Sequence, residues 1–281
     1  MARLQKVIPF GALPRDPDRD AALVDLHHPE RLREEIVLAP EMAARLDRVE
    51  QEFKAVDLLA RNGLSPKSRL LFVGPPGCGK TLCAEIVASD LGLPLLYARF
   101  DGIVSSYLGE TATNLRRVFN YAAQQRAVLF FDEFDAIGKK RDDPQEVGEL
   151  KRVVGSFLQI LDAHPRDRIV IAATNHEGLL DDALWRRFDE VLLFSRPSPA
   201  QIVRLMELRL GAVRKRGINL EHVATEMSGF SFADAERVCL EATKAMLLGG
   251  RREMTPDLLE AELRLQRERM AIGAAPRSTM P

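Results

Sequence analysis

The 281-residue chain holds only three cysteines, one tryptophan and three tyrosines, and it has no surplus of either charge. Cys78, Cys83 and Cys239 show no paired spacing. They therefore exclude a disulfide scaffold and read as reduced thiols of a cytoplasmic protein. With 40 Lys and Arg against 41 Asp and Glu, the net charge is −1. No overall basic field is present to hold a polyanion, so no nucleic-acid partner is expected. No apolar run approaches the roughly 20 residues of a membrane span, and no membrane partner is expected. Met1–Pro9 has two basic residues but no apolar stretch of signal-peptide kind. What remains, 46% hydrophobic and 29% charged residues, is the make-up of a folded protein. The length admits one large α/β domain with a smaller one beside it.

The strongest signal is Gly74-Pro75-Pro76-Gly77-Cys78-Gly79-Lys80-Thr81, which fills the pattern G-x-x-x-x-G-K-[ST]. It follows the apolar strand candidate 69–73 and opens a helix-like run beginning at Leu82, as a phosphate-binding loop requires. Its glycines let the backbone aim N–H groups at phosphate oxygens, and the helix adds the positive end of its dipole. Lys80 is placed to reach β- and γ-phosphates, and the Thr81 hydroxyl to meet Mg²⁺. Residues 74–82 are thus the candidate nucleotide site. Cys78 reads as a small residue tolerated in the loop.

About 50 residues later, the apolar run 127–131 ends in Asp132-Glu133. A run buried on both faces suits a central parallel strand. Carboxylates at its tip are expected to divide the work: Asp132 at Mg²⁺, Glu133 on the attacking water. A further buried strand, Ile169–Thr174, ends in Asn175, whose amide can read a γ-phosphate. Arg186-Arg187 precedes Phe188-Asp189. Either arginine could reach a neighbouring subunit's γ-phosphate, which requires a head-to-tail interface that closes into a ring or extends as a helix.

Periodicity divides the chain further. Residues 1–35, with Pro9, Pro14, Pro17 and Pro29 among charges, read as an irregular arm. The stripe from Met42 to Leu59 reads as one helix closed by Asn62-Gly63. Strand candidates 69–73, 94–99, 127–131, 168–173 and 190–194 alternate with helices, so residues 36–197 are expected to form a mainly parallel sheet covered on both faces. After Pro197 and Pro199 only helices are expected, at 200–213, 221–227, 232–248 and 256–270, within a small all-helical domain 198–270. Residues 271–281 read as a flexible tail.

Taken together, GPPGCGKT at 74–81, LFFDEFDAIGKKR at 129–141, IVIAATN at 169–175 and LDDALWRRFDE at 180–190 resemble the AAA family of ATPases. The likeness is to bacterial-looking, single-ring members, with a second region of homology in the short form of katanin and spastin. The resemblance implies an α/β P-loop NTPase subdomain followed by a helical lid. It also implies ATP and Mg²⁺ as cofactors, Glu133 as the hydrolytic residue, Asn175 as sensor, and Arg186 and Arg187 as fingers acting in trans. Ser105-Ser106-Tyr107-Leu108-Gly109-Glu110 matches the family's pore segment, which makes Tyr107 the residue that grips an extended polypeptide. The charges from Lys139 to Asp143 match the position of a second pore loop. Gly229–Asp234 looks like the motif near the adenine, with Phe232 where glycine is usual; Trp185 is also unusual. A hexameric ring is implied, acting on a protein substrate by threading. The alternative is an ATP-controlled switch or scaffold that does not thread. With no recruiting domain or protease signature in the sequence, a separate adaptor or effector enzyme is expected as partner.

Overall fold

The computed structural model describes residues 11–104, 108–134, 144–176 and 185–274. They fall into two compact units. The first comprises the residues up to Arg33, Pro40–Gly74 and Lys80–Leu193; the second comprises Glu34–Ala39, Pro75–Gly79 and the residues from Phe194 onward.

The first unit is built on a six-stranded sheet. Its strands are β1 (Val24–His27), β2 (Arg69–Val73), β3 (Leu95–Ala98), β4 (Val128–Phe131), β5 (Val170–Thr174) and β6 (Glu190–Leu193), in the spatial order β1-β3-β4-β5-β2-β6. Every neighbouring pair is parallel except β1 with β3. The interior strands β4, β5 and β2 are buried along their whole length, which is why they read as mainly apolar runs. Around them lie α1 (Pro40–Lys54), α2 (Val56–Arg61), α3 (Lys80–Asp90), α4 (Phe100–Ile103), α5 (Leu108–Gln124) and α6 (Pro144–Ala163). Phe119, Phe131, Phe134 and Phe157 fill the space between β4, α5 and α6, with ring centroids 4.6–5.5 Å apart. Stacked, tilted and edge-to-face contacts of that kind add to the gain from burial.

Two expectations are corrected here. Within the stretch expected as an irregular arm, Val24–His27 is a strand pairing antiparallel with β3. The turn before it is fastened by Asp16, whose carboxylate accepts from Asn114 Nδ2 at 2.8 Å and from the amides of Asp18 and Arg19. The Asn114 bond, foremost, holds that carboxyl down to about 2. The single helix expected from Met42 to Leu59 is two, α1 and α2, because the Ala55 amide splits its bond between Gln51 O and Glu52 O and the chain turns there.

The second unit holds α7 (Pro199–Arg209), α8 (Leu220–Glu226), α9 (Phe232–Leu248) and α10 (Pro256–Ala274), and no strand among its described residues. Local chemistry sets the starts. Ser198 and Ser231 each close a capping box, with Gln201 and Asp234, and Asn219 caps α8. Ile202, Leu205, Met206, Val238, Ala242, Leu259 and Leu263 pack together as the core of this unit. The last helix continues to Ala274, past the start expected for the tail. Among the described residues, no helix is long and apolar enough to cross a membrane.

Candidate active site

Strands β2, β4 and β5 are parallel, so their carboxyl ends open on one edge of the sheet, where ligands bind in this architecture. Gly74 follows β2 and its amide donates to Thr174 O at the end of β5, 3.2 Å away. The chain returns to the first unit at Lys80, the first residue of α3. Lys80 is buried, and its Nζ donates to Gly74 O at 2.6 Å and to Asn175 Oδ1 at 2.8 Å. The ammonium therefore bends back over the loop toward the end of β5. Thr81 Oγ1 donates to Asp132 Oδ2 at 2.6 Å, across 51 residues of sequence. Lys80, Thr81, Asp132 and Asn175 are thus brought together by two strand ends and one helix start. Leu82 follows in the first turn of α3, half-buried.

Glu133 stands at φ 49°, a left-handed conformation uncommon for a side-chain-bearing residue. Holding it there costs of order 1–2 kcal/mol. The amide of Glu133 donates to Asp132 Oδ1 at 2.9 Å, and its side chain is exposed. The strained turn swings Glu133 off the strand direction, while Phe134 returns to the core. Strain held at such a position is typical of catalytic residues.

The loop residues Pro75–Gly79 belong to the second unit. Gly77 and Gly79 have φ of 73° and 94°, where a side chain would be strained. Gly77 O accepts from the amide of Ala233 at 3.0 Å, so the start of α9 holds the loop. Phe232, in the position where glycine was expected, packs against the core of the helical unit. Cys78 is buried, with Sγ 3.8 Å from Pro76 O. Burial pushes the Cys83 and Cys239 thiols up to about 12, so both are inert packing groups.

Arg187 lies elsewhere. It pairs with Asp162 near the end of α6, which also binds the buried Arg69 guanidinium at the start of β2. Arg186 is exposed, and Trp185 is half-buried against the core. Both arginines are therefore at the amino end of β2, away from the Lys80–Asp132 cluster. Tyr107 and residues 139–143 lie outside the described residues.

Tyr97 is a residue that the sequence reading missed. Its hydroxyl donates to Asp132 Oδ2 at 3.1 Å. Burial first, and the Asp132 charge second, push its phenol well above the ordinary range, so it stays a donor. The available signal was a polar-tipped aromatic one residue from the carboxyl end of a parallel strand.

The donor set suits its expected occupants. A hydroxyl and a carboxylate in contact are hard oxygen donors of the kind Mg²⁺ takes, and a buried lysine beside them suits phosphate.

Residues 70–196 match the family model described as ATPase family associated with various cellular activities (AAA). The Sinorhizobium fredii (strain NBRC 101917 / NGR234) protein named Uncharacterized AAA family ATPase y4kL is 45% identical over 251 residues, covering 89% of this chain and 74% of that protein. A proteasome-activating nucleotidase of Saccharolobus islandicus (strain M.14.25 / Kamchatka #1) is 33% identical over 222 residues, 76% of this chain and 56% of that protein.

Proposed function

The chain belongs to the AAA family of ATPases, and from that premise we propose that it is a ring-forming motor that spends ATP hydrolysis on unfolding, disassembling or remodelling protein chains. The coarser part, an ATPase that binds ATP, follows from the family. The finer part is supported by two things: the Saccharolobus islandicus relative is named for activating the proteasome, and the sequence around Tyr107 has the pattern of a pore segment.

The observation that carries the enzymatic reading is the meeting of Thr81 with Asp132 beside the Lys80–Asn175 bond. In the proposed mechanism Lys80 lies along the β- and γ-phosphates, where it neutralises charge that develops as the terminal bond breaks. Thr81 and Asp132 would hold Mg²⁺, which supplies further positive charge on the same oxygens. Glu133 orients the attacking water and takes its proton, and its exposed, strained position leaves it open toward the ligand side. Asn175 now accepts from Lys80; with nucleotide bound, its amide would donate to the terminal phosphate and couple phosphate state to β5. Arg186 and Arg187 of one subunit serve the next, in a ring of six, and Tyr107 grips the substrate. We place the protein in the cytoplasm, with a separate adaptor or effector enzyme choosing the substrate.

The test combines two variants. Glu133→Gln with Mg·ATP should shift from monomer to about six chains by light scattering and should not turn over ATP. Tyr107→Ala should hydrolyse ATP at the wild-type rate yet fail to unfold a fluorescent-protein substrate. A monomer at saturating ATP rules out the ring. Wild-type unfolding by Tyr107→Ala rules out threading and leaves an ATP-controlled switch or scaffold.

A further inference from the structure

We propose that Tyr97 is a positioning residue for the metal-holding carboxylate, its hydroxyl fixing which lone pairs of Asp132 face a divalent cation. The proposal rests on the reading of Asp132 as a magnesium-holding group. An ionised carboxylate offers about four lone-pair sites. On Asp132, Oδ2 accepts from both Thr81 Oγ1 at 2.6 Å and Tyr97 Oη at 3.1 Å, while Oδ1 accepts from the Glu133 amide at 2.9 Å. Among the described residues, these bonds fill Oδ2 and leave one site on Oδ1. Thr81 can present an oxygen lone pair to a cation without giving up the bond it donates.

Tyr97 can do this because its ring is held. Tyr97 stands in register with Phe130 on the adjacent strand β4, two residues before Asp132. The two rings meet edge to face at 5.4 Å, and the His27 ring of β1 lies 6.0 Å away on the other side. The antiparallel strand near the chain start thus helps to wall in the tyrosine that braces Asp132. A half-buried tyrosine does need some acceptor for its hydroxyl. A role in packing alone, however, would be served equally by phenylalanine.

The experiment uses the full chain carrying Glu133→Gln, which removes hydrolysis, and N-methylanthraniloyl-ATP fluorescence titrated with magnesium chloride. Adding Tyr97→Phe should raise the magnesium concentration for half-maximal binding about tenfold, the usual scale for losing a group that orients a metal ligand. Nucleotide binding in EDTA and the thermal midpoint should stay as in the parent, because ring and packing are kept. An unchanged magnesium dependence in Tyr97→Phe overturns the proposal. Asp132→Asn in the same background separates the two readings. If it too leaves the magnesium dependence unchanged, Asp132 is not the metal-holding group and the underlying reading fails. If it shifts the dependence while Tyr97→Phe does not, only the role of Tyr97 fails.

Discussion

Gly77→Ala tests whether the phosphate loop and the start of α9 are one mechanical element. A Cβ at Gly77 would stand 2.7 Å from Ser231 Oγ and 3.1 Å from Ala233 Cβ. The backbone there is at φ 73°, which costs a side-chain-bearing residue about 1–2 kcal/mol. Ser231 cannot move aside without loss, because its hydroxyl accepts from the Asp234 amide and donates to the Asp234 carboxylate. Breaking an N-cap costs about 0.5–2 kcal/mol. The sum is about 1.5–4 kcal/mol, or on the order of 3–16 °C in thermal midpoint. A double-mutant cycle isolates the contact. Ser231→Gly alone should cost only a few tenths of a kcal/mol, since glycine caps nearly as well. In the double variant the collision is gone and the left-handed backbone cost stays, so it should be about 1 kcal/mol more stable than the sum of the singles predicts. Additivity within about 0.3 kcal/mol would show that the two residues do not meet and would refute the reasoning.

Two further outcomes are expected. His164 is buried, and burial first, then Arg69 and Arg168, push it down to about 4 from an ordinary value of 6.5. The unfolded chain therefore binds the extra proton between those values, so this contribution is whole above pH 6.5 and falls by up to about 1.4 kcal/mol per pH unit as pH drops toward 4. Urea midpoints across that window should flatten in His164→Phe, and an unchanged slope would assign the acid sensitivity to other groups. For the fingers, Lys80→Ala and the Arg186→Ala/Arg187→Ala double variant should each be inactive alone. Mixed in equal amounts they should recover about a quarter of wild-type turnover, the share of sites that randomly pair an intact loop with a neighbour's intact arginines; no recovery would mean that the arginines act within one chain.

Much of this site could be read from the sequence because each strand end carries its chemistry in a short apolar-to-polar step. β2 runs into Gly74, β4 into Asp132 and β5 into Asn175, and the order of these steps along the chain follows from the parallel topology. What stayed hidden depends on contacts between distant segments. β1 is four residues, Val-Asp-Leu-His, without an apolar run, and it becomes a strand only by pairing with β3. Tyr97 looks like any strand aromatic until β4 sets Asp132 beside it. The partner of Arg187 is likewise invisible, since Asp162 is 25 residues away on α6.

That partner bears on how the arginines can act. Asp162 ties Arg187 to Arg69, the first residue of β2, whereas the phosphate loop begins after the last. Five strand residues at about 3.3 Å each separate the two ends by roughly 16 Å. An arginine side chain extends less than half that distance, and it would have to leave its carboxylate and cross the sheet edge to reach its own loop. Swinging outward from an exposed position is the easier path, and in the proposed ring it would lead to a neighbour's nucleotide. Asp162 would then keep Arg69 as its remaining partner, so the departure of Arg187 leaves no buried charge unpaired. If the proposed finger operates, it is therefore expected to work across an interface and not on the nucleotide of its own chain.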